Sequence, residues 1–350
     1  MRNNSLAVSC MLALTTGVIA ADFAPLTKLA LRGDRFVVNG TLADLYGIRV
    51  ASASQSDEYT KALIESLDDY KAHGVNGITV FLQGSSGGFS DPFSPDGTAL
   101  DPNHARRVTK IVEACDARGM VVIVGIFYQR TMRDMNDVRR LQGATAVRQA
   151  VRTTTALLRD YTNVIINIAN EQNSGLYRGL DFIQFNDPQR IIELCELVHE
   201  TDPDRLVGGG GYDDALNVTI GRSAAVDVLL FDTSSRDIEA NQDSGWHYDH
   251  FIEHGVVGKP IVNVELFGGW TRQCVSATGE PGAFRSEHKQ LYFREVDAAA
   301  RRPGLSVFFH ANPWCQGPSM DKPVRYALAG QGTPDDPGIR WWFEYVRAKW

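Results

Sequence analysis

Short apolar runs rich in β-branched residues alternate along this chain with longer amphipathic stretches. Such alternation implies βα units built around a parallel sheet. Eight strand candidates follow in order: Leu45 to Val50, Gly77 to Phe81, Val121 to Phe127, Val164 to Ala169, Leu206 to Gly209, Val226 to Phe231, Pro260 to Glu265 and Leu305 to His310. Eight is the number that closes a (β/α)8 barrel, the TIM-barrel class of α/β fold. Helical periodicity marks Asp57 to Ala72, Pro102 to Ala117, Thr145 to Asp160, Pro188 to Glu200 and Phe284 to Arg301. Asp187 followed by Pro188 is a capped start with proline at the first helical position. Helical periodicity is weaker after the fifth and sixth strands. Ahead of the barrel the spacing predicts a short N-terminal β-hairpin, Leu29 to Leu31 against Arg35 to Val38 around Gly33-Asp34.

The first residues change where the barrel is expected to work. Arg2 precedes an apolar stretch from Leu6 to Ile19 and the small residues Ala20-Ala21, the pattern of a cleaved secretory signal over residues 1–21. The stretch is too short to span a bilayer. Residues 22–350 then form a single catalytic domain in a secreted or periplasmic protein. A net charge of −7 without a Lys/Arg run argues against nucleic acid or membrane as a partner. A neutral substrate and a monomer are the expectation. Beyond the leader, Cys115 and Cys195 fall in helical patterns and read as small buried hydrophobes. Cys274 and Cys315 fall in loops that the barrel brings together, and a disulfide between them is expected.

The candidate chemistry lies at the strand ends, because barrels of this class place their sites at the C-terminal ends of the strands. The fourth strand runs directly into Asn170-Glu171, and the seventh closes on Glu265. Two carboxyls held about 5 Å apart suit retaining glycoside hydrolysis, one protonating the leaving oxygen and the other attacking the anomeric carbon. A single strand-end glutamate is more often a salt-bridge partner; the co-occurrence of two is what points to catalysis. No metal and no cofactor is called for.

Asn170-Glu171, Glu265 and Trp314 together resemble clan A of the glycoside hydrolases, particularly its family 5-like members. The segment Leu100 through Val122 also resembles the second helix and third strand of that clan. The resemblance implies a retaining hydrolase of a β-linked oligo- or polysaccharide, with Glu171 as acid/base and Glu265 as nucleophile. It also implies that Asn170 bonds the sugar 2-hydroxyl and that Trp314 is a stacking platform. The chain departs from the family pattern at Gln172, where family 5 carries proline. It departs again at Phe231-Asp232-Thr233-Ser234, where the family carries His-x-Tyr after strand six with the tyrosine contacting the nucleophile. Phe81 and Phe127-Tyr128-Gln129 replace the usual arginine and histidine. Arg49 is expected to supply the missing positive charge near the nucleophile, and Tyr128, Tyr212, Asp232 and His310 are expected to contact substrate.

Other constellations carry less. Trp246 to His254 holds histidines at helical spacing but no His-Glu-x-x-His motif, so it reads as a solvated helix, with His247 a candidate to line the cleft. Gly208 to Gly211 lacks a nucleotide-loop pattern and reads as a turn. No Gly-x-Ser-x-Gly elbow supports a serine hydrolase. The rival from another class is a catalytically inactive carbohydrate-binding barrel, kept open by the unusual strand ends.

Overall fold

The computed structural model describes residues 24–84, 90–133, 140–177, 187–268, 282–311, 314–315 and 324–349. The expected leader and Cys274 lie outside these residues. Eight parallel strands close on one another in the order of a (β/α)8 barrel: Tyr46–Arg49, Gly77–Phe81, Val121–Phe127, Val164–Ala169, Leu206–Gly209, Val228–Ser234, Ile261–Gly268 and Leu305–Phe309. The expected hairpin is present, and Thr41–Ala43 extends it to a three-stranded antiparallel sheet. Phe36 of this small sheet packs with Leu45, Val121, Ile165, Val228, Val262 and Phe308, so the sheet plugs the barrel end opposite the strand C-termini.

Burial on both faces explains why the strands are continuous apolar runs. Alternate residues fill the interior, while the others pack under the helices in a second, larger apolar layer. The helices Asp57–Ala72, Pro102–Asp116 and Pro188–Thr201 start at side-chain caps from Ser56, Asp101 and Asp187. After strands five and six the chain makes only short helices, Asp214–Gly221 and Ser235–Glu239, before Ser244–Glu253. Those two are too short to show a helical period in sequence.

Strand seven breaks its alternation where it matters most. Val262 and Val264 face the interior, so strict alternation would turn residue 265 outward. Between Asn263 and Glu265 the register against strand six slips, with Asn263 opposite Phe231 but Glu265 opposite Asp232. This bulge resets the phase and turns Glu265 into the barrel mouth.

Cys115, Cys195 and Cys315 are free and buried. The expected Cys274–Cys315 disulfide is therefore corrected: the Cys315 thiol lies in the core and donates to the Ala311 carbonyl, 3.5 Å away.

Candidate active site

Arg49, at the end of strand one, is fully buried and anchors the barrel mouth. Its Nη1 lies 3.0 Å from Glu265 Oε2, and its Nη2 donates to Asn170 Oδ1 at 2.7 Å. One guanidinium thus ties strand one to strands four and seven. Phe81 supports it from below, 4.9 Å from ring centroid to guanidinium carbon, and Tyr128 meets that ring edge-on. The ring needs Gly125: a Cβ there would stand 2.0 Å from Phe81. The Asn170 amide is held on both sides, since its Nδ2 also donates to Gln129 Oε1 at 2.8 Å. Tyr177 fixes the same residue by donating to its carbonyl at 2.9 Å.

Glu171 follows in a left-handed turn with φ 45°, and Phe267, two residues past Glu265, has φ 59°. Non-glycine residues rarely adopt this region, and such strain concentrates at functional sites. Here it falls beside both candidate carboxyls. Tyr212, after strand five, hydrogen-bonds the Glu171 carboxyl. A Cβ on Gly268 would stand 2.5 Å from the Tyr212 hydroxyl and 2.6 Å from Glu265 Oε1, so glycine keeps open the space both oxygens border. His310, at the end of strand eight, brings Nε2 to 3.3 Å from Glu265 Oε1, without hydrogen-bond alignment.

Charge at this centre is crowded. Burial pushes the Glu265 carboxyl up to about 7; Arg49 opposes the rise and Glu171 adds to it. Burial, with Glu265 and Glu171 adding to it, drives the Asp232 carboxyl well above the ordinary range. His310 is driven well below its ordinary value by burial and then by Arg49, and is neutral. Arg49, the guanidinium that meets these carboxyls among the described residues, favours the negative charge on Glu265, while burial and its two carboxyl neighbours disfavour that charge on Asp232.

The structure therefore brings together Arg49, Tyr128, Asn170, Glu171, Tyr212, Asp232, Glu265 and His310. It leaves out two expected residues. Trp314 is 2% exposed, with its indole N–H on the Ala327 carbonyl, Arg325 over its ring at 5.3 Å and Gly282 against its edge. It is a core aromatic, because it is buried and one face, one edge and its polar atom are already used. His247 does not line the cleft and is not solvated: its ring nitrogens lie 3.0 Å from Asp214 and 3.1 Å from Asp237. It is buried beside a polar cavity of about 770 Å3 lined by Asn173, Tyr212, Asp214, Arg236, Asp237 and Gly268, among others. Gln129 and Gly268 were not singled out from sequence. Their signal was positional only, at or just past the ends of strands three and seven.

Residues 43–194 match the model of the cellulase family, glycosyl hydrolase family 5. No curated protein matches the chain. Among solved structures, an endo-1,4-beta-mannanase from Rhizomucor miehei is similar at TM-score 0.58 and 14% identity, over 81% of this chain and 90% of that one. A beta-glucanase from Saccharophagus degradans, solved with cellotetraose, is similar at TM-score 0.60 and 12% identity, over 93% of this chain and 95% of that one. A glycoside hydrolase from Bacteroides vulgatus described as putative reaches TM-score 0.62 at 14% identity, over 92% of this chain and 61% of that one. The family match over residues 43–194 bears out the resemblance to a family 5-like glycosidase of clan A and the expected enzyme class, a glycoside hydrolase; the solved structures, at 12–14% identity, share the barrel fold.

Proposed function

We propose that this protein is an exported, monomeric, retaining hydrolase of a β-linked polysaccharide, with Glu171 as acid/base and Glu265 as nucleophile. The observation that carries this reading is the pairing of Glu265 with the buried Arg49 at the mouth where Glu171 and Tyr212 also converge. Strand-end position, strained backbone and one shared countercharge support the same pair.

In the first half-reaction Glu171 gives its proton to the glycosidic oxygen as the C–O bond breaks, and Glu265 Oε attacks the anomeric carbon to form a glycosyl ester. Arg49 keeps Glu265 ionised for that attack and holds the Asn170 carbonyl oxygen in place. Once the ester forms, Glu265 has lost its charge, so Glu171 holds its proton less tightly and remains ionised. It then takes a proton from water as the water oxygen displaces Glu265, and the sugar leaves with its configuration retained. Mannans and β-glucans are the substrates to try first, since the similar structures include a mannanase and a glucanase.

The test is a 2-fluoro glycoside trap followed by peptide mass mapping. A label on Glu265, with retained anomeric configuration in the natural product, is expected. A label elsewhere, or inversion, overturns the assignment.

A further inference from the structure

The bulge in strand seven does more than turn Glu265 inward: it sets Glu265 directly across from Asp232, two residues before the end of strand six. Asp232 is buried, and its carboxyl accepts the backbone N–H of Glu171. Strand five, which lies between strands four and six, completes the tie: the Gly210 carbonyl accepts Gln172 N–H at 3.3 Å, and the Gly211 carbonyl accepts Asp232 N–H at 3.2 Å. The one non-glycine residue in this run with left-handed backbone is Glu171.

We propose that Asp232 is a positioning residue for Glu171: by accepting the Glu171 main-chain N–H from across strand five, it holds the acid/base in its strained turn and aims its carboxyl at the glycosidic oxygen. This deepens the reading of Glu171 as acid/base and rests on it. A residue at φ 45° returns to ordinary turn geometry unless its surroundings hold it, and rotating that peptide would swing the carboxyl away from Tyr212. Among the described residues Asp232 Oδ1 accepts no hydrogen bond, so the carboxyl is committed to the Glu171 side rather than shared among partners. Around it stand Arg49 from strand one, Glu171 and Tyr177 from the fourth strand end, Tyr212 from the fifth and Glu265 from the seventh. Asp232 is thus an acceptor in a cluster where its own ionisation is disfavoured, a role its neutral carbonyl oxygen fills equally well.

The test compares Asp232→Ala and Asp232→Asn on aryl β-glucosides or β-mannosides, whichever the wild-type enzyme cleaves, with phenyl and dinitrophenyl leaving groups. Loss of acid positioning penalises only the substrate that needs protonation. Asp232→Ala is expected to lose about 100-fold in kcat/KM on the phenyl glycoside and less than about threefold on the dinitrophenyl one, with azide restoring deglycosylation. Asp232→Asn keeps an acceptor oxygen and should remain within about tenfold of wild type on both. If the alanine variant does not fold, Asp232→Ser, whose hydroxyl falls short of the Glu171 N–H, replaces it with the same expected split. Equal losses on both substrates, an asparagine variant as damaged as alanine, or unchanged rates overturn the proposal. Glu171→Ala serves as the control: without that same leaving-group split in the control, it is the acid/base assignment that fails, not the role of Asp232.

Discussion

Two buried ionic clusters lie a few residues apart on this barrel, and they are built on opposite rules. At His247 each ring nitrogen has its own aspartate, so the hydrogen-bonding capacity of the imidazolium is met in full. Burial alone would pull that imidazole down, but the two aspartates raise it to about 9. At Glu265 matching is incomplete: among the described residues several carboxyls face one guanidinium, the neutral His310 ring makes no aligned hydrogen bond, and Asp232 Oδ1 accepts none. A matched cluster stabilises a fold. A mismatched one, costly to bury, persists where a substrate completes it.

This contrast breaks most sharply at the carboxyls. Glu171→Gln and Glu265→Gln should each cut kcat by about 10³-fold or more while the thermal midpoint stays near wild type. A variant of either retaining wild-type turnover would return Glu265 to the structural class. Arg49→Ala comes next, with a loss of about 10²-fold, because the developing positive charge at the anomeric carbon then faces a nucleophile held protonated by burial.

The pH profile sharpens the same point. Since the Glu265 carboxyl is raised to about 7 and must be ionised to attack, kcat/KM of the wild-type enzyme should fall about tenfold per pH unit below that value. An acid limb near an ordinary glutamate value would show that substrate-free Glu265 is better solvated than this structure has it. Tyr212→Phe removes one hydrogen bond to a carboxyl, and a loss of about tenfold in kcat is expected from steady-state assays.

His247→Asn should do the reverse of all these, leaving kcat within about twofold while changing stability. The folded imidazole titrates near 9 and the unfolded one near 6.5, so its contribution is complete below the unfolded value and is lost as pH rises through 9. Melting curves from pH 6 to 10 should show that decline in wild type, and the variant should lack it.

Much of this was legible in the sequence because it was local. The strands Gly77–Phe81, Val121–Phe127, Val164–Ala169 and Leu206–Gly209 fall where their apolar runs lie. A parallel strand covered on both faces leaves an unbroken hydrophobic signature. Glu171, Glu265 and Arg49 followed from strand ends in the same way. Trp314 and His247 did not, since an aromatic or a histidine in a loop or helix carries no mark of whether its neighbours will cover it. Gln129 was missed for a related reason: its importance comes from one hydrogen bond to Asn170, 41 residues away in sequence.

By itself, then, the sequence determined a closed eight-stranded barrel and the two glutamates at its mouth, because period and strand length are written residue by residue. Tertiary structure alone decided which way those glutamates face. Alternation would turn Glu265 outward, and only the slip of strand seven against strand six, a property of two chains of residues held side by side, places it opposite Asp232 and against Arg49.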